Sequence, residues 1–186
     1  MILPIYAYGQ PVLKKVAENI TPDYPNLKEL IQNMWDTMYD AHGVGLAAPQ
    51  VGASIRLFMI DSEQIEKEDD FNHVGFKRVF INAQKIEETG EKWSYEEGCL
   101  SIPNIRGEVM RKPILKIRYL DENFEERFDT FDGINARVVQ HEYDHIDGVL
   151  FTEYLSPVKR TLIKGKLENI KRGKTKAEYK MKFVPK

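Results

Sequence analysis

Apolar residues recur at helical spacing in the first third of the chain. Between Asn26 and His42 they lie three or four residues apart, and Gly43 follows directly. This spacing places them on one face of a helix, and glycine commonly ends a helix. The stripe consists of Leu27, Leu30, Ile31, Met34, Trp35 and Met38. The pattern predicts a helix over 26–42 whose apolar face belongs to the core.

A second helix is predicted between Asp132, which can cap its start, and Gly148, which can end it. It has two apolar flanks. The first consists of Ile134, Val138, His141 and His145, and the second of Val139, Tyr143 and Ile146. A helix that is apolar on two flanks is mostly buried. Two histidines on a buried stripe need partners, and a metal ion would supply them.

A third, weaker helix is predicted after Ser156, because Pro157 suits a first helical position. Its narrow apolar stripe consists of Leu162, Leu167 and Ile170. Gly165 weakens this helix by roughly 1 kcal/mol relative to Ala. Gly173 can end it, and we expect the last dozen residues to be mobile.

The remaining patterns predict strands and loops. Residues 54–60 predict one strand, and 79–82 begin another. Apolar and polar residues alternate over 115–119, and an Asp-Glu-Asn turn precedes Phe124 and Phe128, which predicts a hairpin. Residues 2–20 should be extended or turning, and the acidic segment 61–76 should be an exposed loop.

Composition fits one globular unit. The chain has 186 residues, of which 42% are hydrophobic and 30% charged, enough for a real core. No apolar run approaches the roughly 20 residues that span a membrane, and the N-terminus has no signal-peptide pattern. The single cysteine excludes an intrachain disulfide and favours a reducing compartment. We therefore expect a cytoplasmic protein without a membrane partner.

Charge is unevenly distributed. Residues 159–186 hold 11 Lys and Arg against 2 Asp and Glu, a net +9, so residues 1–158 hold 16 against 27, a net −11. This contrast suggests a body at 1–158 and a basic extension of the same domain at 159–186. The extension is either a solvated helix and tail or a contact with a polyanionic partner.

The most informative motif is H-E-x-x-H at residues 141–145. On a helix, His141 and His145 lie one turn apart on one face and can bind a common ion. Glu142 lies beside that ion without binding it, where it can take a proton from an activated water.

A catalytic site of this kind usually has three protein ligands and one open position. The longer metalloprotease pattern would need a histidine at 151, where the chain has Phe151, so that class is excluded. Glu168 and Cys99 remain as candidates for the third ligand. Cys99 could instead be a small buried residue or the nucleophile of a Cys–His pair. The residues alone leave these alternatives open.

Three segments together resemble the peptide deformylases. They are residues 43–50 (GVGLAAPQ), 97–101 (EGCLS) and 140–145 (QHEYDH), in that family's order and spacing. The start of the chain and residues 101–103 resemble the family as well, so the likeness covers most of 1–158. Each segment alone is a weak indication, but the three together are highly specific.

The resemblance implies a fold, an activity and a metal. The fold would be α+β, with mostly antiparallel sheets around a central metal-binding helix, one helix in the N-terminal half and one at the C-terminus. The activity would be removal of the formyl group from N-formyl-methionyl peptides and nascent chains. Cys99, His141 and His145 would hold one divalent ion, Fe(II) in cells, for which Zn, Ni or Co can substitute.

The resemblance also implies roles for single residues. Glu142 would be the proton shuttle, the Gln50 side chain and the Leu100 N–H would stabilise the oxyanion, and Gly45 would bind the substrate backbone. The expected substrate-binding residues are Gly43, Val44, Glu97, Arg106, Arg137 and Val138. Arg137 departs from the family, which often has an apolar residue there. Either its stem lines the pocket while its head reaches solvent, or the helix turns it away.

The expected assembly is a monomer, with ribosome contact through the basic C-terminal helix. Two other functions remain as alternatives. One is a general metallopeptidase with Glu168 as ligand. The other is a structural metal site in a ribosome- or nucleic-acid-binding protein, but such sites use four protein ligands and often several cysteines.

Overall fold

A computed structural model describes residues 1–65 and 74–185, and these contain three α-helices. They are α1 (Leu27–Asp40), α2 (Gly133–Ile146) and α3 (Pro157–Lys171). All three were predicted, and their ends fall within two residues of the predicted ones. The mixed helix and sheet architecture confirms the expected α+β fold.

The central sheet has five antiparallel strands, and each strand in the following sequence is hydrogen-bonded to the next. Its strands are β2 (Gly45–Ala47), β3 (Leu57–Asp61), β4 (Lys77–Thr89), β7 (Ile114–Leu120) and β8 (Glu126–Asp132). The predicted hairpin is confirmed, because Leu115 pairs with Phe131 and Tyr119 with Arg127.

The central sheet is covered on both faces near β3. Phe58 and Ile60 face α2, whereas Leu57 and Met59 face α1. All four are fully buried, which explains why this strand is a continuous apolar run instead of an alternating one.

A separate hairpin carries the cysteine. It consists of β5 (Trp93–Cys99) and β6 (Ile102–Arg111), which pair antiparallel with a register shift between Gly98 and Cys99. Cys99 pairs with Ile102, so Leu100 and Ser101 form a two-residue turn. The helix α2 packs between this hairpin and the central sheet.

The two ends of the chain meet. β1 (Ile5–Tyr6) pairs in parallel with β9 (Met181–Lys182), and the Gln10 side-chain amide donates to the Phe183 carbonyl at 2.7 Å. The expectation of a mobile C-terminal tail was therefore wrong, because backbone hydrogen bonds dock it on the N-terminal segment.

The predicted α3 stripe was wrong at Leu162 and is confirmed at Leu167 and Ile170. Leu162 is 72% exposed, whereas Ile163 and Ile170 are buried and Leu167 is partly buried. Ile163, Leu167 and Ile170 have the i, i+4, i+7 spacing of one helical face. This face packs on β6, so α3 continues the same hydrophobic core as the hairpin.

The segment predicted as an exposed loop is only partly described. Residues 66–73 lie outside the described residues. At its start, Asp61 and Ser62 are buried and Asp61 accepts a 2.6 Å hydrogen bond from the Tyr39 hydroxyl. Within the described part of the chain, no helix is long and apolar enough to cross a membrane.

Candidate metal centre

Three metal-ligating side chains converge where β5 meets α2. Cys99 ends β5, and His141 and His145 lie one turn apart on α2. One ligand atom from each lies within 4.8 Å of the others. The Cys99 Sγ and the His145 Nε2 are 3.4 Å apart. Tetrahedral Zn–S and Zn–N bonds would separate such atoms by about 3.5 Å, so this pair of donor atoms fits a bound ion.

His141 is oriented by a carboxylate on one of its two ring nitrogens. The His141 Nδ1 lies 2.8 Å from the Glu97 Oε1, and both side chains are almost fully buried. A carboxylate on one ring nitrogen fixes the ring and leaves the other nitrogen for metal binding. Glu97 is on β5, two residues before Cys99. The strand β5 therefore supplies one candidate ligand, Cys99, and also the carboxylate that orients another, His141.

Glu97 belongs to a buried network of charges. Arg111 donates to both Glu97 carboxylate oxygens, at 2.8 and 3.0 Å, and to the Asp144 carboxylate at 2.7 Å. Arg137 donates to Glu97 at 2.8 Å. The two arginines and two carboxylates balance in formal charge, and every member is at most 7% exposed. Burial opposes ionisation of Glu97, but its hydrogen bonds with His141 and Arg111 hold its pKa far below the ordinary value.

The structure decides between the two expectations for Arg137. Its guanidinium is 2% exposed and also donates to the backbone carbonyls of Val109 and Trp93, each at 2.7 Å. The expectation that its head reaches solvent was wrong. The helix turns Arg137 toward the β5–β6 hairpin, where it supports Glu97. The Glu97 carboxylate is likewise fully engaged, which leaves its backbone for any substrate contact.

Glu142 lines one cleft together with Cys99 and His141 but is not part of the group of converging ligand atoms. Its side chain is 5% exposed, and its Oε2 has no hydrogen-bond partner among the described residues. Burial raises the pKa of the Glu142 carboxyl to about 7, although the charge of His141 opposes the shift. A carboxyl with a pKa near neutrality can both accept and release a proton.

Gly45 makes room for this carboxyl. A Cβ atom at Gly45 would lie 2.6 Å from the Glu142 Oε1 and 2.7 Å from its Cγ. Such distances are far inside van der Waals contact, so any larger residue would displace Glu142. The glycine in this segment therefore has a packing reason beside the substrate contact expected from the resemblance.

Gln50 approaches the same point from a short 3₁₀ turn at Ala48–Val51. Its Oε1 accepts from the Ala47 N–H at 2.9 Å, which orients the amide. Its Nε2 then points at the Ser101 Oγ, 3.2 Å away, and the Cys99 Sγ, 3.4 Å away. The Gln50 side-chain N–H groups thus point toward the place where the three candidate ligands converge.

A cleft of about 1120 Å³ opens onto these residues. Its walls come from the α1–β2 connection, the β5–β6 hairpin, α2 and the C-terminal tail. The sequence-predicted residues that line it are Gly43, Val44, Gly45, Gln50, Glu97, Cys99, Leu100, Arg106, Arg137, Val138, His141 and Glu142. Arg106 lies at the exposed rim, paired with Glu96 at 3.1 Å.

Glu168 is remote from this arrangement. It lies on the exposed side of α3 and pairs with Arg172 at 2.8 Å. Among the described residues, Cys99, His141 and His145 are the one group of metal-ligating side chains that converge. The structure thus brings Cys99 to the two histidines and leaves Glu168 outside.

Sequence reasoning missed several residues around the site. Arg111 and Asp144 complete the charge network, Ser101 contacts Gln50, and Tyr179 reaches Leu100 from the tail. One signal was available for Arg111. Along β6 the residues Ile105, Val109 and Arg111 share the inward face, and a charged residue there needs a buried partner.

Comparisons with known proteins agree with this geometry. The model of the polypeptide deformylase family matches residues 2–161. A peptide deformylase of Christiangramia forsetii is 57% identical, with 98% of this chain and 96% of that protein covered. One from Flavobacterium johnsoniae is also 57% identical, with 99% and 97% covered.

Solved structures show the same similarity. The crystal structure of a peptide deformylase from Legionella pneumophila has a TM-score of 0.81 at 37% identity, covering 94% of this chain and 98% of that one. A peptide deformylase from Plasmodium falciparum has a TM-score of 0.80 at 35% identity, covering 91% and 95%.

The two candidates for the third ligand make opposite predictions for metal content. We expect Cys99→Ser to lose most bound metal, because a hydroxyl is a far poorer ligand than a thiolate. Glu168→Gln should keep wild-type metal content. Elemental analysis of purified, chelator-washed protein measures both. Retention of metal in Cys99→Ser together with loss in Glu168→Gln would reverse the assignment.

Proposed function

The chain belongs to the polypeptide deformylase family, and from that premise we propose how its own residues carry out the reaction. It is a metal-dependent hydrolase that removes the formyl group from the N-terminal formyl-methionine of newly synthesised proteins. The observation that carries the proposed mechanism is the convergence of Cys99, His141 and His145 within 4.8 Å, with Glu142 beside them.

The proposed ligands are these three residues, with one position left open for chemistry. A divalent ion held by them would supply a water acidic enough to act as a nucleophile near neutral pH. Glu142 accepts the proton of that water and later delivers it to the leaving amine. A buried carboxyl whose pKa is about 7 suits both steps. Three ligands also favour a catalytic site over a structural one, which would be closed by a fourth.

Attack on the formyl carbon places negative charge on its oxygen. We assign its stabilisation to the Gln50 Nε2, whose orientation the Ala47 N–H fixes, and to the Leu100 backbone N–H. Leu100 lies in the tight turn directly after Cys99, so both donors lie close to the proposed ligands.

The methionine side chain is assigned to the apolar part of the cleft. Gly43, Val44 and Val138 line it together with Ile134. The backbone of Gly45 and Glu97 is available for the peptide, and Arg106 lies where a longer peptide leaves the cleft. Arg137 contributes indirectly, by holding Glu97 and through it His141.

We assign Fe(II) as the physiological ion and Zn, Ni or Co as substitutes. A thiolate with two imidazoles suits any of these borderline metals. The protein is proposed to be a cytoplasmic monomer. Residues 1–158 are its catalytic body, and 159–186 are an extension of the same domain.

The basic extension is proposed to contact the ribosome. Nascent formyl-methionine is presented at a surface rich in RNA phosphate, and residues 159–186 carry +9 on an otherwise acidic chain. Lys164 and Lys166 on α3 are exposed. Attraction of this kind weakens steeply as salt rises, because bound counterions are released.

Replacement of Glu142 tests the proton shuttle. Glu142→Ala should keep metal content near wild type and lose turnover of a formylated peptide by at least roughly 100-fold, the usual contribution of general acid–base catalysis. His141→Ala should lose metal as well as turnover. Metal loss from Glu142→Ala as large as that from His141→Ala would contradict the shuttle role.

Gly45→Ala tests the position of the same carboxyl. The added methyl group displaces Glu142, so turnover should fall between about 10- and 100-fold with metal retained. Gly165→Ala is the matched control, since a Cβ there meets nothing within 4 Å. It should keep wild-type turnover and raise stability by roughly 1 kcal/mol. Equal turnover in the two variants would argue against the placement of Glu142.

The identity of the metal is tested by exposure to air. Iron beside a thiolate is open to oxidation, of the metal or of the sulfur. Activity should decay in air for the iron form and persist for the nickel or cobalt form, measured after anaerobic reconstitution. Equal air stability of all forms would count against iron as the native metal.

Charge reversal on α3 tests the ribosome contact. The double variant Lys164→Glu/Lys166→Glu should co-sediment less with ribosomes at low salt than the wild-type protein. The double variant Lys15→Glu/Lys28→Glu is the control, because it makes the same charge change at exposed positions outside α3. Turnover of a short formyl-peptide should stay near wild type in both. Deletion of 174–186 is unsuitable, because that tail lines the cleft. Equal co-sedimentation of the two variants would exclude a specific role for α3.

A further inference from the structure

The C-terminal tail forms one wall of the cleft. After α3, the tail passes the β5–β6 hairpin, and its residues 176–179 line the cleft. The Asn104 side chain donates to the Lys176 carbonyl at 3.0 Å, and β9 pairs with β1 just beyond. The tail is therefore held on both sides of the cleft-lining segment.

Within that segment, Tyr179 contacts the turn after Cys99. Its hydroxyl donates to the Leu100 carbonyl at 2.7 Å, across 79 residues of sequence. The Tyr179 side chain is partly buried. Burial raises the pKa of the Tyr179 hydroxyl, so it stays protonated and remains a donor.

The other groups of this turn are held by the body of the protein. The Ser101 carbonyl accepts from the Tyr8 N–H at 2.8 Å, and the Ser101 hydroxyl accepts from Gln50 at 3.2 Å. Cys99 is paired with Ile102. Tyr179 adds an anchor at the Leu100 carbonyl. The Leu100 N–H is therefore flanked by Cys99, which pairs with Ile102, and by its own residue's anchored carbonyl.

We infer that Tyr179 is a positioning residue for deformylation, which holds the Leu100 N–H in the direction needed to stabilise the oxyanion. The inference rests on the proposed function, in which Leu100 supplies that donor. It gives the tail a part in the chemistry, although the tail lies outside residues 2–161 that the family model matches.

The kinetic consequence is specific. The oxyanion exists in the transition state and not in the bound substrate, so a misdirected Leu100 N–H should lower kcat and leave KM nearly unchanged. Loss of one neutral hydrogen bond corresponds to about a fivefold effect. Tyr179→Phe should therefore lower kcat about fivefold.

The matched control is Tyr6→Phe. The Tyr6 hydroxyl also contacts the tail, through the Lys182 amino group at 3.0 Å, but it does not reach Leu100. Each variant therefore loses one tyrosine hydroxyl that holds the tail. Turnover is measured per bound metal ion, so that incomplete loading or unfolding does not count as a catalytic loss. Tyr6→Phe should keep wild-type kcat.

Hydrogen exchange supplies a readout that does not depend on turnover. Amide exchange in residues 99–102 should be faster in Tyr179→Phe and unchanged in Tyr6→Phe, because the turn loses an anchor in the first variant alone. Unchanged exchange in this turn, an unchanged kcat, or equal losses of kcat in both variants would overturn the inference. If wild-type protein loaded with metal does not hydrolyse a formyl-peptide, the proposed function itself fails.

Discussion

The Glu97 carboxylate joins the three parts of the protein on which the site depends. It binds His141 of α2, Arg111 of β6 and Arg137 of α2, and its own strand ends in Cys99. A metal site needs metal–ligand distances within about 0.2 Å of their standard values. The same Glu97 carboxylate holds α2 to the β5–β6 hairpin and orients His141. The thiolate and the imidazoles therefore converge on a common point.

Such a buried network is stable only when it is complete. Taking ions out of water is costly, and the cost is offset here by close pairing and by backbone carbonyls that accept from Arg137. Removing one partner would leave an unpaired charge, which typically costs 3–5 kcal/mol. The pairing around Glu97 thus couples the geometry of the site to stability. Glu142, beside it, has a carboxylate oxygen without a hydrogen-bond partner in the described part of the chain, and burial raises its pKa.

Sequence patterns predicted the parts of this structure that depend on local periodicity. Helical spacing located α1 and α2, alternation located the β7–β8 hairpin, and the i, i+4 histidines indicated the candidate site. The patterns could not show that Arg137 points inward to Glu97, since that depends on a hairpin distant in sequence. For the same reason the α3 stripe was wrong at Leu162 and the docked tail was missed, because its partner strand lies at the opposite end of the chain.

The central claim is that Cys99, His141 and His145, brought together in this way, are the protein ligands of one metal ion. X-ray absorption at the metal edge of the zinc-loaded protein measures the ligand atoms directly. The account predicts one sulfur at about 2.3 Å and two imidazole nitrogens at about 2.0–2.1 Å, with a light atom in the open position. A first shell without sulfur, or with a third imidazole, would contradict it.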